Sequence, residues 1–406
     1  MYEYFPNHYS WNLGLLMALQ LGGEMSEIDE ACRPLIEVSQ RPNARDDKEA
    51  QALWLSQWRA LAEKTESLAK ADEARGSRFG AGRKYLRAAI YYMTAERMAA
   101  HRDPIKAEIY GKILDTFGKG IVLRDVPLEF VDIPYGNTTL PALYYRAPGQ
   151  GKKPVMIHFD GFDVIKEWMY LCGIAEEFAQ RGISTLMVDH PGVGAALRLQ
   201  GLTTSPESER WATASIDYLE TRDDVDLTRV GIIAMSLGGY YAPRAAAFEK
   251  RLACCVAWGA RWDNALSHGR ILRDPNAARS VTGWVDHALW VYGAKDTEEA
   301  AKKIDAMTLA PVIDKITCPL FVVHGENDRQ VPLDQAQLTI DGAVNAPRRD
   351  LHIFTKAEGG VEHCQGDLFS VGIDVMTDWV ADVFQTGGTR SAAKPALHLN
   401  PNDIQY

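Results

Sequence analysis

The chain has 406 residues, of which 46% are hydrophobic and 24% are charged, and its formal net charge is −10. This composition indicates a folded protein with a sizeable core, built as one large domain with an addition or as two domains. The negative charge argues against nucleic acid or an anionic membrane surface as a partner. No apolar run approaches the roughly 20 residues that a membrane-spanning helix needs.

The N-terminus and the cysteines bear on the compartment. Residues 1–14 are aromatic and polar, without the basic and apolar regions of a signal peptide. The six cysteines are scattered and include no C-x-x-C pair, which is typical of reduced, buried thiols. We therefore expect a cytoplasmic protein. No residues show a metal-ligand spacing, so we expect no metal and no other cofactor.

Residues 1–122 carry almost no strand signal. Apolar residues at helical intervals predict a series of helices there. The predicted helices are 11–21, 31–38, 47–71, 83–100 and 104–117. The third and fourth resemble a helical hairpin, and because only one such pair is present, a repeat solenoid is disfavoured.

From residue 126 onward, short apolar strands alternate with helices. The predicted strands are 126–133, 140–147, 155–159, 184–189, 230–234, 252–258, 320–324 and 351–354, and the longer helices are 167–181, 211–220, 240–248 and 368–384. This alternation predicts an α/β fold with a mostly parallel eight-stranded sheet covered by helices on both faces. The first two strands, joined by a short turn, should be antiparallel.

These patterns divide the chain into five parts. Residues 1–122 form an N-terminal helical region, and 123–262 form the first part of the α/β core. Residues 263–315 are predicted to be a helical cap insertion, 316–385 the second part of the core, and 386–406 a flexible tail or an arm onto a partner subunit.

The stretch 229–244 carries the strongest local motif. It places Ser236 between a buried strand and a helix, with Ala234 and Gly238 on either side. The pattern A-x-S-x-G is close to the G-x-S-x-G nucleophile elbow, whose small residues let strand and helix crowd against the turn. An ordinary strand–helix turn that contains serine is the alternative interpretation.

A serine nucleophile needs a histidine base that is oriented by a carboxylate. After the strand 320–324, the pattern H-G-x-x-D-x-x-V-P presents Asp328, with Glu326 as the second candidate. His363 lies in the loop after the last strand, whereas His352 lies within that strand and is interpreted as structural. The order serine, acid, histidine, each after a strand, predicts a catalytic triad of Ser236, Asp328 and His363.

An oxyanion intermediate needs backbone N–H donors. Leu237, directly after the serine, is predicted to supply one. The loop after the third strand should supply the other, from Phe162 or Gly161. Asp160 and Asp163 in the same loop are best explained by turn and capping chemistry.

Other side chains are weaker candidates for contact with a small-molecule substrate. Several follow the strand 252–258, and others are aromatic residues of the predicted insertion. An anchoring role for Arg261 and Asp263, and a core role for most of the aromatic residues, are the competing interpretations. The candidates are Asp163, Trp258, Arg261, Asp263, Trp284 and Trp290.

Four stretches show a resemblance to a known group of α/β-hydrolases. They are R-A-A-I-Y-Y at 87–92, D-G-F-D at 160–163, M-S-L-G-G-Y-Y-A-P-R at 235–244 and H-G-E-N-D-R-Q-V-P at 324–332. The chain resembles, over roughly residues 50–385, the group of 2,6-dihydroxypseudooxynicotine hydrolase and the fungal yellowish-green heptaketide hydrolases. The wider group includes esterases and FrsA-like proteins.

The resemblance implies an α/β-hydrolase fold, an N-terminal helical cap that contributes to a homodimer, and cleavage of a carbon–carbon bond next to a ketone in an aromatic or polyketide-type compound. A carboxylesterase or lactonase with the same triad is the alternative. The intact triad argues against a non-enzymatic binding protein, and serine at the elbow argues against a dehalogenase or epoxide hydrolase. Whether Ser236 or an activated water attacks the carbonyl stays open.

Overall fold

The computed structural model describes residues 1–6, 8–41, 47–274 and 276–387. Within them, six helices precede the first strand: α1 (Tyr9–Gln20), α2 (Met25–Cys32), α3 (Ile36–Ser39), α4 (Lys48–Ala74), α5 (Arg78–Arg97) and α6 (Pro104–Leu123). The predicted helix 31–38 is wrong in its placement. The chain there leaves α2 through a 3₁₀ turn around Pro34 and resumes as the short α3.

The local sequence explains where two of the long helices of this region begin. Asp47 caps α4 by accepting the N–H of Glu49, and Asp103 caps α6 just before a proline at its first position. Along α4, Trp54 and Trp58 lie one turn apart and are fully buried, and their rings contact each other at a tilt of 40° with centroids 5.4 Å apart. The α4–α5 hairpin therefore has a core of its own aromatic residues.

Eight strands form one sheet, which confirms the predicted α/β-hydrolase architecture. They are β1 (Leu128–Tyr135), β2 (Thr138–Tyr145), β3 (Lys153–Phe159), β4 (Ser184–Val188), β5 (Val225–Met235), β6 (Cys254–Trp258), β7 (Leu320–Gly325) and β8 (Arg349–Phe354). The spatial order is β1-β2-β4-β3-β5-β6-β7-β8. β2 is antiparallel to both of its neighbours, and all other pairs are parallel. The carboxyl ends of the parallel strands consequently share one edge.

Ten further helices are described after β3: α7 (Lys166–Leu171), α8 (Ile174–Gln180), α9 (Gly194–Arg198), α10 (Glu209–Glu220), α11 (Gly238–Phe248), α12 (His268–Arg273), α13 (Trp284–Val291), α14 (Thr297–Asp305), α15 (Asp334–Gly342) and α16 (Phe369–Thr386). The single helix predicted at 167–181 is wrong, because Gly173 at φ +87° breaks it into α7 and α8. α12, α13 and α14 lie between β6 and β7. From residue 388, the predicted tail lies outside the described residues.

α1 packs far from its neighbours in sequence. Nine of its residues are buried. Ser10 donates to the carbonyl of Arg279 at 2.7 Å, and Gln20 bonds the carbonyl of Gly366 at 2.8 Å and the N–H of Phe369 at 2.7 Å. α1 is thereby held beside the loop that follows β8. None of the helices in the described ranges combines the length and the hydropathy needed to cross a membrane.

Candidate active site

Ser236 lies in the tight turn between β5 and α11. Its φ of +63° is in the left-handed region, which is costly for a residue with a side chain and is typical of a strained functional turn. The Ser236 N–H donates to the carbonyl of Trp258 at 2.8 Å. A Cβ on Gly238 would lie 2.6 Å from the Cβ of Ala234, so the turn tolerates alanine at the first small position because the second is glycine.

The structure brings the three predicted catalytic residues into one hydrogen-bonded chain. Ser236 Oγ lies 2.8 Å from His363 Nε2, and His363 Nδ1 lies 2.7 Å from Asp328 Oδ2. The other carboxylate oxygen of Asp328 accepts the N–H groups of Gln330 at 2.8 Å and Val331 at 2.9 Å. With both carboxylate oxygens occupied, the acid has one orientation, and that orientation fixes the imidazole.

The pKa shifts of Asp328 and His363 suit a histidine that accepts a proton and later donates it. Burial opposes the charge on Asp328, yet the neighbouring His363 and the hydrogen bonds hold the pKa of Asp328 well below its usual value. Burial alone would lower the pKa of His363, and the Asp328 carboxylate outweighs it and raises that pKa. The carboxylate therefore stabilises the imidazolium that forms when His363 takes the serine proton.

The reserve candidates lie elsewhere. Glu326 accepts the N–H of Lys356 on the exposed surface. His352 pairs with Glu358 at 3.0 Å, also near the surface. Neither side chain contributes to the hydrogen-bonded chain at Ser236.

The loop after β3 packs directly on the elbow. A Cβ on Gly161 would lie 2.5 Å from both the Leu237 nitrogen and the Met235 oxygen, so only glycine fits. The next residue, Phe162, is held by its carbonyl, which accepts a hydrogen bond from His287 Nε2 at 3.1 Å. The close approach at Gly161 puts the backbone of this loop beside the N–H of Leu237.

A pocket opens at Ser236 and His363. Its apolar wall is formed by Leu13, Met17, Val164, Trp168 and Phe369, and its polar wall includes Arg97, Asp160, Asp163, Ser280 and Gln330. A second pocket adjoins it toward α5 and shares five lining residues with it, namely Met17, Arg97, Asp163, Val164 and Trp168. Two of the shared residues are charged and the other three are apolar.

Of the six candidates for substrate contact, Asp163 lines both cavities. Trp258 is fully buried and donates through Nε1 to the side chain of Gln365 at 2.7 Å. Arg261 is also fully buried and donates to two side chains of the segment that follows β6. Asp263 caps the 3₁₀ turn of that same segment. These three side chains anchor the backbone beside the site.

The two tryptophans of α13 also make structural contacts. Trp284 is buried and stacks on Phe162, with ring centroids 5.4 Å apart. Trp290 stacks on His101 at 5.4 Å. Trp284 therefore supports the loop after β3 from behind, rather than lining the cavity.

Sequence reasoning missed the position of two ionisable residues, Asp160 and Arg97, in the wall of the pocket. Asp160 had been assigned to turn chemistry, and its carboxylate does accept the N–H of Val164 at 2.8 Å. Burial, reinforced by Asp163, also raises the pKa of Asp160 to about 8, so it is protonated at neutral pH. Arg97 comes from α5, where no local motif distinguishes it from other helical arginines.

Comparison with known proteins places the chain among hydrolases. The model of the alpha/beta hydrolase family matches residues 155–360. The 20-hydroxy-prefusarin hydrolase of Gibberella moniliformis is 27% identical, over 82% of this chain and 88% of its own length. The 2,6-dihydropseudooxynicotine hydrolase of Paenarthrobacter nicotinovorans is 27% identical, over 84% of this chain and 87% of its own.

Solved structures agree on the fold. The crystal structure of 2,6-dihydroxy-pseudo-oxynicotine hydrolase superposes with a TM-score of 0.73 at 23% identity, covering 93% of this chain and 98% of that one. Wild-type AbyA5 gives a TM-score of 0.64 at 18% identity, over 90% of this chain and 97% of that one. Because the family model covers half of the chain and the fold agrees throughout, the chain belongs to the alpha/beta hydrolase family.

Proposed function

We propose that this protein is a serine-dependent hydrolase that cleaves the carbon–carbon bond next to a ketone in an aromatic or polyketide-type small molecule. The observation that carries the proposal is the hydrogen-bonded chain Ser236–His363–Asp328, which ends at a pocket with an aromatic and aliphatic wall. Such a wall suits a substrate that is largely apolar. The sequence resemblance and the two hydrolase relatives support the same substrate class.

In this mechanism, His363 accepts the hydroxyl proton of Ser236 while Oγ attacks the ketone carbon. The oxyanion is bound by the N–H groups of Leu237 and Phe162. When the intermediate collapses, the carbon–carbon bond breaks and the electron pair leaves with the second fragment, which takes the proton held by His363. Water activated by His363 then hydrolyses the acyl-enzyme.

A carboxylesterase or lactonase is the second candidate. Ester cleavage needs the same nucleophile, base and oxyanion donors. The departing alkoxide then takes the proton that His363 holds. What separates the two reactions is the stabilisation of a carbon leaving group.

A paired turnover assay tests the proposal. Purified protein is given acyl-phenols and β-diketones beside p-nitrophenyl acetate and butyrate, with Ser236→Ala as control. We expect serine-dependent cleavage of the ketones, with kcat/KM well above that for the simple esters. Rapid ester cleavage with inert ketones would instead establish the esterase.

Two further properties belong to this proposal. The six cysteines are free and buried, which supports a reducing, cytoplasmic compartment. A homodimer follows from the resemblance alone. Light scattering checks it, and a mass near the 45.1 kDa of one chain would refute it.

A further inference from the structure

Arg97, at the C-terminal end of α5, has hydrogen-bonding capacity that the fold leaves unused. Its side chain is only 9% exposed and lines both cavities. Nη2 donates to Asp163 Oδ2 at 3.1 Å. Nε and Nη1 are buried and make no hydrogen bond with any described residue. Burying charged donors without acceptors is unfavourable, so these two N–H groups indicate a ligand oxygen.

Two other buried cations near Arg97 share one carboxylate. Glu96 lies 2.8 Å from Arg198 and 3.1 Å from Lys106, and all three side chains are almost fully buried. The three side chains form a buried ion-pair network behind the pocket. Arg261 also has two buried N–H groups without a partner, but it does not line either pocket, whereas Arg97 lines both.

The charge around Arg97 narrows the kind of oxygen that fits. Burial would favour the neutral form of Asp163, but Arg97 outweighs it and lowers the pKa of Asp163, so the two form an ion pair without net charge. A permanently charged carboxylate placed there would face the Asp163 charge. A carbonyl oxygen fits better, because it becomes negative only when the reaction turns it into an enolate.

Arg97 and Ser236 line the same cavity. A 1,3-dicarbonyl compound presents two oxygens, of which the first enters the oxyanion hole beside Leu237. We propose that Arg97 binds the oxygen of the second carbonyl and stabilises the enolate that leaves when the carbon–carbon bond breaks. This inference rests on the proposed function and names its substrate class, a β-diketone or its vinylogous phenolic equivalent.

The step balances without a further reactant. Ser236 Oγ bonds to the first carbonyl carbon, and its proton passes to His363. The bond between that carbon and the α-carbon breaks, and its electron pair delocalises onto the second oxygen at Arg97. The imidazolium then protonates the α-carbon to release a ketone, and one water releases the acid from the serine ester.

The test compares two acetyl donors that differ in the leaving group. Transfer of the acetyl group from 1-phenyl-1,3-butanedione releases an enolate, whereas transfer from phenyl acetate releases a phenolate. For Arg97→Gln we expect kcat on the diketone to fall about 10²-fold or more, as when an oxyanion donor is removed. Hydrolysis of phenyl acetate should change less than about threefold, because it does not need the second site. Arg102→Gln, an exposed neighbour, should change neither.

A second readout does not depend on turnover. In Ser236→Ala protein, ultraviolet absorbance should show the bound diketone ionising to its enolate at lower pH than in solution. Adding Arg97→Gln should abolish that shift, and Arg97→Lys should retain part of it. An equal loss on both substrates together with an unchanged enolate titration would overturn the role of Arg97 while wild-type ketone cleavage stands. Wild-type protein that cleaves phenyl acetate but never the diketone would overturn the proposed function itself.

Discussion

Gly161→Ala tests how tightly the loop after β3 is fitted to the elbow. The new methyl group would lie 2.5 Å from the Leu237 nitrogen and the Met235 oxygen, and 2.9 Å from the Cβ of Ser236. The first two contacts are about 1 Å shorter than ordinary van der Waals separations. Both involve backbone, so the loop and the elbow must separate. Gly161 has no positive φ, which leaves the steric contact as the cause.

A separation of about 1 Å at a reacting centre can cost about 10²-fold in rate, and a lost oxyanion donor about 10²–10³-fold. We therefore expect kcat of Gly161→Ala to fall by about 10²–10³ with KM little changed. The assay is serine-dependent turnover of the best ketone or ester substrate, beside circular dichroism and thermal unfolding.

The matched control is Gly111→Ala on α6, where a Cβ meets nothing within 4 Å. It should keep full activity and gain about 0.5–1 kcal/mol of stability, because alanine is the better helix former. A folded Gly161→Ala protein with kcat within about threefold of wild type would refute the assignment of this loop to the oxyanion hole.

Three further outcomes are expected. Because Asp328 raises the pKa of His363, the proton-accepting imidazole is lost as pH falls through that pKa. Asp328→Asn should move this acid limb of kcat/KM to lower pH and reduce kcat about 10⁴-fold, and an unmoved limb would contradict the assignment. Above its pKa of about 8, Asp160 ionises beside the developing oxyanion, so activity should decline there in wild type and persist in Asp160→Asn, as pH–rate profiles will check. Glu96→Gln leaves two buried cations without their carboxylate partner. It should lower the free energy of unfolding, measured with urea, by about 3–5 kcal/mol, against less than about 0.5 kcal/mol for the exposed Glu298→Gln. Despite burial, those cations lower the pKa of Glu96 to about 2. The ionised Glu96 therefore stabilises the fold at pH values above the usual glutamate pKa, and this contribution is lost as pH falls toward 2. Equal losses of stability in the two variants would contradict this account.

The sheet and the catalytic candidates could be predicted because their signals are local. A buried strand followed by a small-residue turn marks Ser236, and Asp328 follows Gly325, the last residue of β7, within a few residues. Parallel strands bring such turns to one edge whatever the long-range packing. The order of residues along the chain was therefore enough to predict that these side chains lie close together.

The cavity wall could not be predicted in the same way. Apolar periodicity indicates that α1 has a buried face, but not that this face lies beside residues 279, 366 and 369. Arg97 shows no pattern at all, because its significance depends on Asp163 and on the unfilled space around it. The break at Gly173 was missed because single glycines also occur within intact helices.

The docking of α1 sets an order of events during synthesis. Its partners at residues 366 and 369 are made about 350 residues later, as the separations of 346 and 349 along the chain show. Trp11 of α1 is covered early by Phe5 and Trp54, but the side of α1 that faces residues 366 and 369 has no permanent cover until those residues are made. The wall that α1 contributes to the pocket can therefore be completed only after nearly the whole chain has emerged, and we expect no hydrolytic activity from a nascent fragment that ends before β8.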